Sequence, residues 1–145
     1  MKIVIGADHG GFDLKGAVKT FLAGEHHQVI DVGCSSAVSV DYPDFAEKAV
    51  QVFNEKSCDF GILICGTGIG MSIAANRHRE IRAANCHTKQ LTVLSREHNN
   101  ANFLCLGARV IDETLALELV DIWLKTEFAG GRHQRRIEKF SSFAG

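Results

Sequence analysis

Phe60-Gly61-Ile62-Leu63-Ile64-Cys65-Gly66-Thr67-Gly68-Ile69-Gly70 is the stretch on which the reading of the chain turns. Ile62, Leu63 and Ile64 form a short apolar run with no polar alternation, which suits a strand buried on both faces. The run ends at Cys65. Gly66, Gly68 and Gly70 then alternate with Thr67 and Ile69, and the helical stretch Met71–Asn76 follows. Glycine lets the backbone turn sharply and approach a bound group closely. Amides in such a turn, next to a helix start, form an anion site. Cys65 is therefore expected at the tip of a buried strand, facing N–H donors that favour its thiolate. The competing reading is a buried cysteine beside an ordinary turn. The crowding of glycines behind Cys65 favours the functional reading.

Outward from this stretch, strand and helix patterns alternate. Lys2–Ala7 reads as a first strand and Asp8-His9-Gly10-Gly11 as its turn. Leu14, Val18, Phe21 and Leu22 recur at helical spacing, predicting a helix over Phe12–Ala23 that Gly24 ends. Gln28–Val32 reads as a second strand and Gly33–Asp41 as a polar loop. Pro43 suits the first turn of a second helix carrying Phe45, Ala46, Ala49, Val52 and Phe53. After the glycine loop, a helix is expected to about Arg77. Ile81–Asn85 reads as a fourth strand, with Asn85 an awkward polar residue in it. Lys89–Glu97 reads as a helix and Phe103–Leu106 as a fifth strand. Asp112 can cap a long helix through Thr126 that bears Leu115, Leu119, Ile122 and Trp123. Gly130-Gly131 breaks the chain before a short basic helix, Gln134–Ser142. The alternation predicts an α/β fold in a single domain over residues 1–145. It is a doubly wound, five-stranded parallel sheet in a Rossmann-like three-layer αβα sandwich.

The 145 residues suffice for one sizeable core, and 46% hydrophobic with 23% charged residues is an ordinary globular composition. A net charge of -1 argues against a general grip on nucleic acid. No apolar run has membrane-spanning length, and Met1–Gly6 reads as a strand start and not as a signal peptide. A cytoplasmic protein with no membrane partner is the default expectation. The five cysteines form no Cys-x-x-Cys pair. The seven histidines form no zinc-type helical pair, so no metal and no cofactor is expected. Cys34, Cys58, Cys86 and Cys105 read as reduced apolar fillers, and no resolving cysteine stands near Cys65 in sequence. The glycine loop lacks the Lys-Ser/Thr ending of a phosphate loop and the spacing of a dinucleotide fingerprint.

Ligands of such sheets bind beyond the carboxyl ends of the strands. That rule singles out Asp8 and His9 after the first strand, Cys65 and Thr67 after the third, and Gly107 and Arg109 after the fifth. Asp8 and His9 read either as substrate ligands or as a helix cap with a solvated ring. His98 reads either as a general acid near neutral pH or as a helix C-cap. Arg132 and Arg136, four apart, lie on one helical face and read either as a phosphate grip or as a solvated basic tail.

The loop Ile62–Gly70 resembles the signature of the type B ribose-5-phosphate isomerases, a family that includes galactose-6-phosphate isomerase subunits and allose-6-phosphate isomerases. Further matches lie along nearly the whole chain: Gly6–Phe12, Asp41-Tyr42-Pro43, Ile81–Ala84, Leu94–Asn99, Leu106–Val110 and Gly130–His133. The resemblance implies an aldose-ketose isomerase of the pentose phosphate pathway that interconverts ribose 5-phosphate and ribulose 5-phosphate. In that reading Cys65 is the base, His98 the acid that opens the sugar ring, and Thr67 a catalytic hydroxyl. Asp8, His9, Tyr42, Gly66, Gly68, Ile69, Gly70, Asn99 and Arg109 would bind substrate, and Arg132 and Arg136 the phosphate. The family needs no metal and works as a homodimer or dimer of dimers with sites shared between subunits. The helix bearing Trp123 and the C-terminal segment are the expected interface elements. Asn85, Asn100 and Lys89-Gln90 depart from the family pattern. The alternatives are an isomerase of a six-carbon phosphosugar, such as allose 6-phosphate or galactose 6-phosphate, and a non-enzymatic phosphosugar sensor.

Overall fold

In the computed structural model, which describes residues 1–143, β1 (Lys2–Ala7), β2 (Gln28–Asp31), β3 (Phe60–Cys65), β4 (Ala83–Asn85) and β5 (Phe103–Gly107) form one sheet. Every neighbouring pair is parallel, in the order β2-β1-β3-β5-β4. The crossovers are α1 (Phe12–Gly24), α2 (Tyr42–Glu55), α3 (Ile69–Ala75) and α4 (Lys89–Glu97), while α5 (Glu113–Lys125) and α6 (Arg132–Ser141) follow the last strand. The central strands are buried on both faces, as a parallel sheet between helix layers requires. Ile3, Ile5, Ile62, Ile64, Leu104 and Leu106 point to one face, against Leu14, Val18 and Leu22 of α1 and Leu119 and Trp123 of α5. Val4, Leu63, Cys65, Phe103 and Cys105 point to the other, against Ala46, Ala49 and Val50 of α2 and Met71 and Ala75 of α3. The period-two alternation of each strand thus feeds two separate cores.

Several boundaries differ from expectation, each for a physical reason. Gly24 does not stop α1. It is the last helical residue, Glu25 caps the end, and the left-handed residue is His26, at φ 64°. α3 ends at Ala75 and not near Arg77, because the Asn76 side chain turns to pair with both Ala83 N–H (2.8 Å) and Ala83 C=O (2.9 Å). That pairing covers the outer edge of β4, which would otherwise present open backbone groups. Ile81 lies before β4, its N–H bonded to His78 O in a turn. Gly130 and Gly131 break the chain with positive φ, and α6 then begins at Arg132, ahead of Gln134. Trp123 is fully buried and meets Phe60 edge-on at 4.8 Å. It is a core residue, so its face of α5 is not available as an interface. Among the described residues no helix is long and apolar enough to cross a membrane.

Register decides where functional side chains emerge. Ala7 is level with Ile64, and Cys65 with Gly107, so β1, β3 and β5 end together at the carboxyl edge of the sheet. Each helix runs back the other way, so residues between a helix and the next strand collect at the amino edge.

Candidate active site

Three turns meet where β1, β3 and β5 end. Asp8 Oδ1 accepts the N–H of Gly10 (2.9 Å) and of Gly11 (3.2 Å), capping a single 3-10 turn over His9–Gly11. The capping reading of Asp8 therefore holds. The His9 ring is not free in solvent: its Nδ1 accepts the Val40 N–H at 3.1 Å, tying the turn to the loop before α2. A Cβ on Gly11 would lie 2.5 Å from Ile64 O, so only glycine lets this turn sit against the end of β3. Gly10 and Gly66 lie side by side, with the Arg109 guanidinium against both. Cβ positions built on them fall 3.6 and 3.1 Å from its terminal nitrogens. Arg109 is held there because Ala108 and Arg109 donate their N–H groups to Cys65 O and Gly66 O, each at 2.9 Å.

Cys65 is buried, and its Sγ accepts the Gly68 N–H at 3.1 Å. Gly68 has φ +81°, the left-handed backbone that turns this amide back onto the sulfur. Ile69 N–H bonds Thr67 Oγ1 at 3.2 Å, and α3 starts there. The Tyr42 ring lies on Gly70, where a Cβ would come within 2.5 Å of Cε1. Asp8, His9, Tyr42, Cys65, the Gly66–Gly70 loop and Arg109 are thus gathered at the carboxyl edge.

Two sequence-level surprises lie beneath the loop. The Asn85 side chain, with its amide nitrogen turned to the carbonyls it faces, donates to Thr67 O (3.3 Å) and Cys105 O (3.2 Å). Its polarity within a strand was the only signal of this role. Cys105, forty residues from Cys65 in sequence, packs in the same core beside it. Burial, reinforced by Cys65 and Cys86, pushes its thiol well above the ordinary range. Burial also raises the thiols of Cys86 and Cys58. All five cysteines are free.

The remaining candidates sit elsewhere. His98 caps the C-terminus of α4, donating its N–H to Leu94 O at 2.9 Å, and so lies at the amino edge. Ala129 N–H bonds Glu97 O (3.1 Å), which brings the start of α6 to the same corner. The His98 and His133 rings stack, centroids 4.2 Å apart and planes within 14°. Desolvation of the His133 ring, then the charges of His98, Arg132 and Arg136, lower its pKa. Arg132 and Arg136 are exposed on α6, and Asn99 borders a cleft of about 510 Å³ with Arg82 and Phe140. β3 spans six residues, about 20 Å at a strand's rise. One protomer therefore separates Cys65 from His98, Asn99, Arg132 and Arg136 by roughly the height of the sheet. Among the described residues no three His, Cys, Asp or Glu side chains are grouped to hold a metal ion.

Comparison with known proteins identifies the family and the fold. A family model described as Ribose/Galactose Isomerase matches residues 3–140. Ribose-5-phosphate isomerase B of Escherichia coli is 43% identical over 141 residues, covering 97% of this chain and 95% of the relative. A Bacillus subtilis protein named only provisionally, as a sugar phosphate isomerase, is 46% identical and covers 99% of this chain and 97% of its own length. Among solved structures, a ribose 5-phosphate isomerase from Thermotoga maritima superposes with a TM-score of 0.95 at 53% identity, covering 98% of both chains.

Proposed function

The chain belongs to the ribose/galactose isomerase family, and on that premise we propose that it interconverts ribose 5-phosphate and ribulose 5-phosphate through an enediolate. The observation that carries the proposal is the Cys65 sulfur, set at the carboxyl end of β3, receiving the Gly68 N–H at 3.1 Å between the Asp8–Gly11 turn and Arg109. Its thiolate takes the proton from the carbon beside the aldehyde and returns it to the former carbonyl carbon, while the Thr67 hydroxyl passes a proton between the two substrate oxygens. Of the loop amides, Gly68 serves the sulfur and Ile69 the Thr67 hydroxyl, which leaves those of Gly66, Thr67 and Gly70 for the developing negative charge. Groups in such roles are typically worth about two to three orders of magnitude in rate.

Ring opening and phosphate binding require the groups at the amino edge. We propose that a second copy of the chain supplies them, its His98 protonating the ring oxygen and its Arg132 and Arg136 holding the phosphate, with Asn99 beside them. The carboxyl edge is suited to receive it. Ile69 (54% exposed), Ile73 (54%) and Val110 (53%) leave apolar surface around the loop.

A coupled isomerase assay on ribose 5-phosphate, allose 6-phosphate and galactose 6-phosphate, run beside Cys65→Ser, tests the chemistry. Turnover of ribose 5-phosphate that vanishes in the variant is expected. Faster turnover of a six-carbon sugar would replace the substrate assignment, and tight binding with no turnover would select a sensor. Mixing inactive Cys65→Ser with inactive His98→Ala tests the shared site. Random dimers should regain about a quarter of wild-type activity, because half are mixed and each mixed dimer holds one intact site. No regain would refute the sharing.

A further inference from the structure

We infer that Asn85 is a positioning residue for Cys65, acting through the Thr67–Gly68 peptide. The inference rests on Cys65 being the reactive thiol of the proposed function. A trans peptide points its C=O and its N–H in opposite directions from one rigid plane. In the Thr67–Gly68 peptide, the N–H of Gly68 reaches Cys65 Sγ (3.1 Å) and the oxygen of Thr67 receives the Asn85 amide (3.3 Å). Holding the oxygen fixes the rotation of the plane and so aims the N–H at the sulfur. A hydrogen bond on the carbonyl also polarises the peptide and strengthens its N–H as a donor. The second bond of Asn85, to Cys105 O at 3.2 Å, anchors the amide to β5 and keeps it from following the loop.

Packing supports the same assignment. A Cβ on Gly68 would overlap the Asn85 side chain and lie 3.0 Å from the Leu106 carbonyl carbon. The loop is therefore seated on Asn85 and not merely near it. An apolar residue at position 85 would fill the space but would leave the peptide free to turn about its flanking bonds. The other ionisable groups around the sulfur are Asp8 and His9 in the first turn, Tyr42 from α2, Arg109 after β5, and Cys105 within β5. A neutral substitution at Asn85 leaves all of them in place and adds none, so a change in the titration of Cys65 reports the peptide.

The test is the rate of iodoacetamide alkylation of Cys65 as a function of pH, read by mass spectrometry of its peptide. Wild type is compared with Asn85→Val and Asn85→Leu, with melting curves taken alongside. Buried Cys105 serves as the unreactive internal control. Both variants are expected to raise the pH midpoint, Asn85→Val by roughly half a unit to one unit, since a hydrogen bond to a charged group weakens. In the isomerase assay the deficit of Asn85→Val should be up to about tenfold below the midpoint and should shrink towards wild type at high pH, with KM little changed. A merely structural role would instead lower activity equally at every pH. If Asn85→Val does not fold, Asn85→Leu carries the test, because it comes close to asparagine in size and loses the donor without adding a charge. Folded variants that alkylate with the wild-type midpoint would overturn the inference. A wild-type protein inactive on every phosphosugar would overturn the proposed function while leaving the alkylation comparison intact.

Discussion

Gly107→Ala places one methyl group on the strand beside the proposed base, on a residue that touches no substrate in the reading above. Its Cβ would lie 2.6 Å from both the carbonyl carbon and the oxygen of Thr67, and 2.8 Å from Thr67 Cα. Comfortable contact needs about 3.5 Å. The gap must therefore open by roughly 0.9 Å, and all three obstructing atoms are backbone, so no side chain can swing aside. β5 is fixed by full ladders to β3 and β4, whereas the 66–70 loop is tied to its surroundings by single hydrogen bonds, such as Asn85 to Thr67 O and Arg109 to Gly66 O, so the loop is the part that moves. Overpacking of this kind costs about 1–3 kcal/mol. For a chain of this size that lowers the melting temperature by roughly 3–9 °C. A displacement near 1 Å at a reacting group costs about a hundredfold in rate. The expected result is a folded protein, melting a few degrees low, with kcat on ribose 5-phosphate down about a hundredfold and KM within a few fold. Calorimetry and the coupled assay at 25 °C decide it. Wild-type kcat in a folded variant would refute the claim that the loop's position carries the rate.

Other perturbations probe the supports of the site. Lys15, 4% exposed, pairs with Asp31 at 3.0 Å and also donates to Cys34 O, while Lys19 meets the other Asp31 oxygen at 2.8 Å. Burial raises the Asp31 carboxyl, but the Lys19 hydrogen bond, the Gly33 amide and Lys15 outweigh it and hold it below the ordinary 3.8. Asp31→Asn leaves the Lys15 charge buried and should cost on the order of 3 kcal/mol near neutral pH in urea unfolding, whereas Lys15→Met should cost far less. Because the folded-state value is depressed, the Asp31 contribution is present above the unfolded value and is lost as pH falls through the folded one. The gap between wild type and Asp31→Asn should therefore begin to narrow near pH 3.8 and close only below the depressed folded-state value. In an NMR titration His133 should ionise below the ordinary histidine range, and its midpoint should rise in His98→Ala, which removes the stacked ring; an unchanged midpoint would refute the coupling. Arg96 donates to Thr126 O, Ala101 O and Asn100 Oδ1 and lies over the Phe60 ring at 4.9 Å. Arg96→Lys keeps the charge but loses the planar fork, and should cost about 2–3 kcal/mol in the same unfolding assay.

Much of the fold was legible because it is written in short-range periodicity. The unbroken apolar run into Cys65 marks a strand buried on both faces, and the helical spacing of Leu14, Val18 and Leu22 marks α1. These patterns follow from the geometry of a single element. The glycine loop was legible for the same reason, since positive φ at Gly68 is a local demand. Some of what was misjudged depended on partners outside the element itself. Asn76 turns away from α3 to meet Ala83, and Trp123 lies under Phe60 and Arg96, contacts that no pattern in the surrounding residues announces.

What the chain determined by itself, then, is the set of elements, the parallel sheet and the turn that presents Cys65 to backbone donors. Tertiary structure alone decided which residues share an edge. The order β2-β1-β3-β5-β4 brings Asp8, Tyr42, Cys65 and Arg109 together, and the return of α4 and α5 carries His98, Arg132 and Arg136 to the far side. It also slides Asn85 beneath the Thr67–Gly68 peptide. These outcomes rest on strand order and register, which are set by packing the two cores as wholes, and a residue's neighbours in sequence carry no information about that choice.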